Sequence, residues 1–488
     1  MVISTNTARC RDCYRCVRTC PVKAVRVQNA QAEIVPEYCI FCGSCVRACP
    51  QKAKVVRDDL GRARDLLASG ETVVASIAPS APAFLDIEEF GQLRRTLLNL
   101  GFADASETAL GAELVAGEHR RLLADRGPGA RPLLTTACPV AVFLVEKYYP
   151  ELIDCLAPVV SPMVAHARWL KATRGRRTRV VFVGPCIAKK KEADDEPVRG
   201  AVDAVLTFEE LQRWLAEAGL GLGPREGSAR PELHPARLFP VEGGLLRTAL
   251  LDTNVLSDET LTLSGIARCR NLLDAVSRRE VSARTVELMA CSGGCINGSA
   301  MQPDDSLWAR HKRLVAFARA REAADIGASP VDLSRAFQNK HVPRPVVDEE
   351  ALRAMLARTE KYSAKDELNC TACGYASCRE KAEATCRGMA EVGMCLPYMR
   401  QRAESLANVV IDAAPSAIVV VDGALVVQDL SRRAEDMFRR HKVQAVGRHL
   451  SEFIPAGTFE EVRQAQRPVL GRRVRYRDDL VVAESVVP

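Results

Sequence analysis

The sequence predicts a multidomain α/β protein, on three observations. Its 488 residues, 47% hydrophobic and 26% charged, suffice for about three globular domains. From Thr72 to about Gln338, short apolar runs alternate with stretches of helical periodicity, the pattern of a largely parallel sheet covered by helices. The 19 cysteines gather near the two ends of the chain and at three points in its middle. Their odd number, without a secretory signal at Met1–Asp12, argues against a disulfide framework. No run of 18 apolar residues exists, so no membrane span and a cytoplasmic placement are expected. The net charge of +7 is dispersed. Its densest basic run, Arg174–Arg179, reads as a solvated turn, and nucleic acid is not an expected partner.

The first element, residues 1–57, carries Cys10-x2-Cys13-x2-Cys16-x3-Cys20-Pro21 and its repeat, Cys39-x2-Cys42-x2-Cys45-x3-Cys49-Pro50. Such spacing lets three thiolates meet one face of a [4Fe–4S] cubane, while the fourth reaches the other cluster. The expected ligand sets are therefore Cys10, Cys13, Cys16 and Cys49 for one cluster, and Cys39, Cys42, Cys45 and Cys20 for the second. Zinc also accepts four cysteines, but two complete runs favour iron–sulfur. Between them Val25–Val27 and Ala32–Val35 predict a small hairpin. So short a segment cannot bury a sizeable core, and the clusters must hold it together. The module resembles a bacterial two-cluster ferredoxin, which implies one-electron transfer.

In the central element, residues 71–338, the predicted buried strands are Val73–Ile77, Leu133–Thr135, Arg179–Val183 and Ala204–Leu206. A helix is predicted through Phe90, Leu93, Leu97 and Leu100, stopping at Gly101. Ligands of such sheets sit beyond the carboxyl ends of strands. Three cysteine motifs occupy such places: Thr135-Thr136-Ala137-Cys138-Pro139, Gly184-Pro185-Cys186-x2-Lys189-x2-Glu192, and Met289-Ala290-Cys291-x3-Cys295. Four cysteines, two of them in a glycine-rich loop, suggest a third cubane. The loop glycines would let backbone approach the inorganic atoms.

These three ordered motifs resemble those of the [FeFe]-hydrogenase catalytic domain. The resemblance implies a two-lobed α/β domain in which Cys138, Cys186, Cys291 and Cys295 hold the cubane of an H-cluster. Cys295 would bridge to a diiron subsite carrying CO, cyanide and an azadithiolate. Lys189 would offer its ammonium to a cyanide, Glu192 would accompany it, and Ser161 and Met289 would line the pocket. The sequence also departs from the pattern. Ala137 stands where hydrogen-evolving enzymes carry the proton-donor cysteine, Gly184 where they carry methionine, and Met163 where they carry glutamine. Gly298-Ser299-Ala300-Met301 replaces a Gly-Gly-Gly-Gln run. Glu118 is a candidate for the next carboxylate of the proton path. General-acid catalysis typically contributes ~10²–10⁴-fold, so slow turnover with retained H2 binding is expected. The alternatives are a catalytically active [FeFe]-hydrogenase with a substitute proton path and a hydrogenase-like electron-transfer protein with cubanes only.

Residues 304–365 contain helical stretches and a Pro-rich break at Val342–Val346, and a linker, 339–361, leads to the third element, residues 362–400. Cys370-x2-Cys373-x4-Cys378 with Cys395 resembles a small [4Fe–4S] domain of redox multidomain proteins, with zinc as the alternative. Cys155, Cys269 and Cys386 belong to no motif and read as ordinary residues. The last element, 409–488, follows a helix over Tyr398–Asp412. Ala417–Val421 and Ala424–Gln428 flank Asp422-Gly423, a hairpin signal. A helix capped by Ser431, a second helix after Pro455 and a final strand pair complete a pattern resembling a PAS sensor domain. The chain ends where that fold would normally add one more strand. His441 and His449 read as exposed histidines of a basic run, and the ligand of the domain stays unassigned. Together the resemblances imply a sensory [FeFe]-hydrogenase-like protein with three [4Fe–4S] clusters and an H-cluster. Its expected partners are H2 and protons, a redox partner protein and a signalling protein reached through the PAS domain. A homodimer is compatible with this organisation.

Overall fold

The computed structural model describes residues 1–488 except 128, 224–234, 254–258, 302–304, 320–330 and 479. Of the helical stretches predicted between 304 and 365, residues 304 and 320–330 lie outside that set. The chain forms two compact units, Met1–Val392 and Gly393–Pro488.

The first unit opens with two short helices, Arg15–Thr19 and Ser44–Ala48, each carrying the third cysteine of its run. The predicted hairpin lies between them, Val25–Gln28 antiparallel to Gln31–Ile34. Ile3–Thr5 pairs with Lys54–Val56 and closes the module.

Two parallel sheets follow. The larger has the order Asp104–Glu107, Val73–Ile77, Arg179–Gly184, Ala204–Thr207. Apart from Arg179 at one end, its two central strands are buried and almost wholly apolar, as expected where helices cover both faces. The smaller has the order Thr260–Ser264, Thr285–Met289, Leu133–Leu134. Asp104–Glu107 and Thr260–Ser264 escaped the sequence reading: they are short, half-polar and at sheet edges. Helix Phe90–Asn99 ends as predicted, at Gly101 with φ of +108°. Arg174–Arg179 is not simply a solvated turn. Arg174 pairs with Asp104, and Arg179 starts a strand and pairs with Glu71 and Asp203.

After helix Leu307–Ala318, residues 331–341 run back across the domain, and Ser334 bridges to Val159. Helices Glu349–Ala357 and Cys378–Cys386 pack on each other through Leu352, Leu356 and Ala382.

The second unit begins with helix Leu396–Ala413, whose N-cap residue is Cys395. The PAS hairpin differs from its prediction. Its strands are Val419–Val421 and Val427–Leu430, and the turn is longer than Asp-Gly. The Asp422 carboxylate accepts the Ala424 and Val426 amides, and Leu425 rather than a glycine takes the left-handed conformation, φ +61°. Ser431 caps helix Arg432–Phe438 as expected. The final strands, Val469–Arg477 and Leu480–Val486, form a separate two-stranded sheet. His441 is exposed and His449 bonds Ser451. Among the described residues no helix is long and apolar enough to cross a membrane.

Candidate metal centre

Four loops leave the carboxyl ends of parallel strands and meet between the two sheets. Ala78-Pro79-Ser80 follows Val73–Ile77, and Thr135–Cys138 follows Leu133–Leu134. Pro185-Cys186 follows Arg179–Gly184, and Ala290-Cys291 follows Thr285–Met289. They border a partly open pocket whose wall includes Ala137, Cys138, Cys186, Lys189, Met289 and Cys295, but not Cys291. Met163 reaches it from the first turn of helix Pro162–Arg174.

The four motif cysteines feel one another. Burial first, then the thiolates of Cys186, Cys295, Cys138 and Cys42, raise the Cys291 thiol. Burial, Cys138 and Cys186 raise that of Cys295. Burial and Cys138 push Cys186 up to about 11, and Lys189 draws it back. Apolar burial without a counter-charge disfavours thiolates; a bound cation removes that penalty. Among the described residues no group of three or more Cys, His, Asp or Glu side chains is placed to hold a single metal ion. No cysteine is in a disulfide. Ser80 Oγ in the cavity wall and Ser161 Oγ are both buried without a hydrogen-bond partner. Buried polar atoms are normally satisfied, so these orphans fit a polar group supplied from outside the chain. The donor set thus fits a polynuclear thiolate cluster with a polar ligand beside it.

Lys189 Nζ donates to Glu192 Oε2 at 2.7 Å and to the Ala137 carbonyl at 3.4 Å. Glu192, fully buried, also accepts from Arg335 at 2.9 Å. Arg335 continues to Asp195, and Lys340 joins Asp195 to Glu146. The series alternates in sign, three cations against three carboxylates, so it is neutral only with the Lys189 ammonium included. Arg335 was invisible to the motif reading, because it lies 143 residues from Glu192 in sequence.

Phe182 also emerges only here. A Cβ on Gly184 would sit 2.6 Å from its ring, so the Phe182 ring, which lines the cavity, takes the space beside the residue that lacks a side chain. In the Cys291–Cys295 loop, the glycines lie close against protein neighbours. A Cβ on Gly294, at φ +86°, would lie 2.1 Å from the Pro240 carbonyl. Glu118 is not in the cavity wall; it pairs with Arg121 along its own helix. Glu287 is in the wall. Burial keeps its carboxyl protonated up to about 8, with the Leu245 and Leu246 amides opposing. Thr108, also in the wall, starts a chain of hydrogen bonds through Ser76 to His166, 2.8 and 2.7 Å, and on to Ser106 at 3.1 Å. Burial holds His166 neutral, down to about 3.

In the N-terminal module, Cys20, Cys42 and Cys39 all act on Cys45, and Cys10 and Cys13 act on Cys16, with burial the larger cause in each case. The Cys20 and Cys49 sulfurs each accept an amide four residues on, from Ala24 and Ala53, both at 3.2 Å. Cys42 is the thiolate that also reaches Cys291. In the small domain, Cys370, Cys373 and Cys378 lie in the first unit, with Cys378 starting its helix. Arg18 donates to Ala372, and Lys23 to Gly374, so this loop packs on the ferredoxin-like module. Cys155 and Cys269 are buried and Cys386 is exposed.

Comparison with known families gives matches to four segments of the chain. The model of the iron-only hydrogenase large subunit, C-terminal domain, matches residues 71–299. A 4Fe-4S dicluster domain matches 2–50, an iron–sulfur cluster model 366–397 and a PAS fold 411–484. Iron hydrogenase 1 of Clostridium pasteurianum is 24% identical over 302 residues, 50% of this chain and 52% of that protein. The NADP-reducing hydrogenase subunit HndD of Solidesulfovibrio fructosivorans is 26% identical over 59% of this chain and 55% of its own length. The cytosolic Fe-S cluster assembly factor NAR1 of Eremothecium gossypii is 27% identical over 40% and 57%. The chain thus spans little more than half the length of these curated relatives. A solved apo [FeFe]-hydrogenase HydA1 variant from Chlamydomonas reinhardtii superposes with a TM-score of 0.43 at 19% identity, over 52% of this chain and 88% of that one. The chain is an iron–sulfur redox protein with a hydrogenase-type central domain, related to iron hydrogenases and to NAR1-type assembly factors.

Proposed function

We infer that this protein binds H2, and oxidises it slowly, at an H-cluster held by Cys138, Cys186, Cys291 and Cys295, and that it reports the resulting state through its PAS domain. The observation that carries this is the cavity where three of these thiols, Lys189, Met163, Met289 and Ala137 share one wall. A diiron group, when bound there, would supply the heterolytic chemistry toward H2. The chain's own residues do the rest. Lys189 presents an ammonium to an anionic ligand, held by Glu192 and balanced by Arg335. Ser80 and Ser161 offer hydroxyls with free hydrogen-bonding capacity. Phe182, Phe239 and the two methionines exclude water. Glu287 holds a proton in the wall at neutral pH. Ala137 carries none, and this is the reason for slow turnover and persistent binding, which suit a sensor. A PAS domain in the same chain gives the state a route to a signalling partner, and the two ferredoxin-type clusters a route to a redox partner.

Infrared spectroscopy of maturated protein tests the reading: bands from CO and cyanide are expected, and their absence overturns it. Ala137 also favours a second reading, a hydrogenase-like electron-transfer protein with cubanes only, which would give the same visible spectrum without those bands. Given the bands, Ala137→Cys is expected to raise H2 turnover by roughly tenfold or more, a figure below the usual general-acid contribution. Unchanged turnover in the loaded variant would move the cause to Gly184 and Met163.

A further inference from the structure

A chain of polar side chains leads from the pocket wall toward the surface. Thr108, in that wall, directly follows strand Asp104–Glu107, and its hydroxyl lies 2.8 Å from Ser76 Oγ. Ser76 Oγ is 2.7 Å from His166 Nδ1, and His166 Nε2 is 3.1 Å from Ser106 Oγ. All three separations allow proton transfer. Thr108, Ser76 and His166 are buried, whereas Ser106, on an edge strand of the larger sheet, is only half-buried. The imidazole is held in place on two sides. Trp169 stacks on it at 6.0 Å, and a Cβ on Gly111 of helix Ala109–Ala124 would lie 2.7 Å from His166 Cβ. Burial, and then the Arg174 guanidinium, keep the ring neutral. A neutral imidazole has one N–H donor and one bare nitrogen, and a hydroxyl both donates and accepts. Each member can therefore take a proton on one side and give one on the other. The ionic series that starts at Lys189 lacks this property. Lys189 and Arg335 both donate to Glu192, and a guanidinium does not release its protons.

We propose that Thr108, Ser76, His166 and Ser106 form the proton exit of the pocket, in place of the donor that is missing at Ala137. The proposal rests on the H2 reading given above and adds the route by which protons leave. A proton released in the pocket passes to Thr108 Oγ1. Thr108 gives its own to Ser76, Ser76 gives one to His166 Nδ1, and the Nε2 proton goes to Ser106 and on to water. At each oxygen or nitrogen one bond to hydrogen forms and one breaks, so one proton enters and one leaves. No electron moves along the chain; the two electrons of H2 leave through the iron–sulfur clusters. The ring is left with its proton on Nδ1 and must regain the Nε2–H form before the next transfer. Its close packing slows that reset, in keeping with slow turnover.

The test reads H2 oxidation by maturated protein beside its infrared spectrum. His166→Gln keeps a hydrogen-bonding amide but has no tautomer to exchange, and Ser76→Ala, the smaller change, cuts the chain at its second member. Each is expected to lower H2 oxidation by roughly tenfold or more with the CO and cyanide bands unmoved. Both substitutions are repeated together with Ala137→Cys, where the thiol opens another route and the expected loss shrinks to about threefold or less. A purely structural histidine would cost the same in both backgrounds. Nitrogen-15 NMR of histidine-labelled, oxidised, unmaturated protein supplies a readout free of turnover. There His166 is expected to be neutral at neutral pH, with Nε2 protonated and Nδ1 bare. An imidazolium or an Nδ1–H ring overturns the proposal, as does an equal loss with and without Ala137→Cys. Bands present with turnover unchanged in both variants overturn it alone. Bands absent from the unsubstituted protein overturn the H2 reading, and this proposal with it.

Discussion

The first and second cysteine runs repeat one another's backbone and differ in what the backbone carries. Asp12 and Phe41 hold equivalent places and have φ values of +50° and +57°. The same is true of Tyr14 and Gly43, at +54° and +74°, and of Lys23 and Lys52, at +50° and +49°. The left-handed residues bend both loops identically, so the spacing alone sets cluster geometry. The side chains then set direction. Phe41 is buried and meets Phe143 edge-on at 5.6 Å. Gly43 lies against Ser299 and Ile187 of the central domain. Their counterparts Asp12 and Tyr14 bond each other near the surface. A duplicated motif has become an inner terminal and an outer one.

The sharpest attempt to break this comparison is Cys20→Ser. Cys20 belongs to the first run in sequence, yet its thiolate acts on Cys39, Cys42 and Cys45. Electron paramagnetic resonance should show loss of the inner cluster and survival of the outer. Selective loss of the outer signal would mean that the runs do not exchange their fourth ligand. Next in size is Phe41→Ala, expected to cost about 3–5 kcal/mol in denaturant unfolding, as large aromatic truncations in cores do. Gly43→Ala should cost less, about 1–3 kcal/mol, by forcing a Cβ to within 2.6 Å of Ser299 at a positive φ. Tyr14 already carries a side chain at the equivalent angle. The smallest effect is expected for Asp12→Ala, about 0.5–1 kcal/mol, because this half-buried position loses only its hydrogen bond with Tyr14. Equal losses at Asp12 and Phe41 would refute the inner and outer assignment.

Local pattern made much of this legible. Apolar runs such as Val73–Ile77 announce buried parallel strands because both faces are covered, and cysteine spacing is itself geometry. Ala137, Cys138, Cys186, Lys189, Met289 and Cys295 of the three motifs line one cavity, while Cys291 and Glu192 lie outside its wall. What stayed hidden depends on residues distant in sequence. Arg335 counters Glu192 across the domain, Phe182 fills the space beside Gly184, and Glu287 becomes a proton-holding acid only because its strand buries it. Glu118 illustrates the converse. Its sequence position suggested a proton path, but its helix aims it at Arg121. The hairpin at Asp422-Gly423 misled for a local reason: the aspartate carboxylate wraps two amides and lengthens the turn.

The ring of Phe182 over Gly184 has a further consequence. Placing methionine at 184 puts its first side-chain carbon into an aromatic ring, and a packed strand cannot yield by that much without cost. Converting this pocket to the hydrogen-evolving composition is therefore not a set of independent single steps. Position 182 must shrink before, or together with, any change at 184, and a Phe182 truncation made alone opens a void in the sheet. Adding methionine at 184 to a protein that already carries the smaller residue at 182 should restore stability where each change alone lowers it. The two positions form an epistatic pair, and the pocket can be crossed in one direction more easily than in the other.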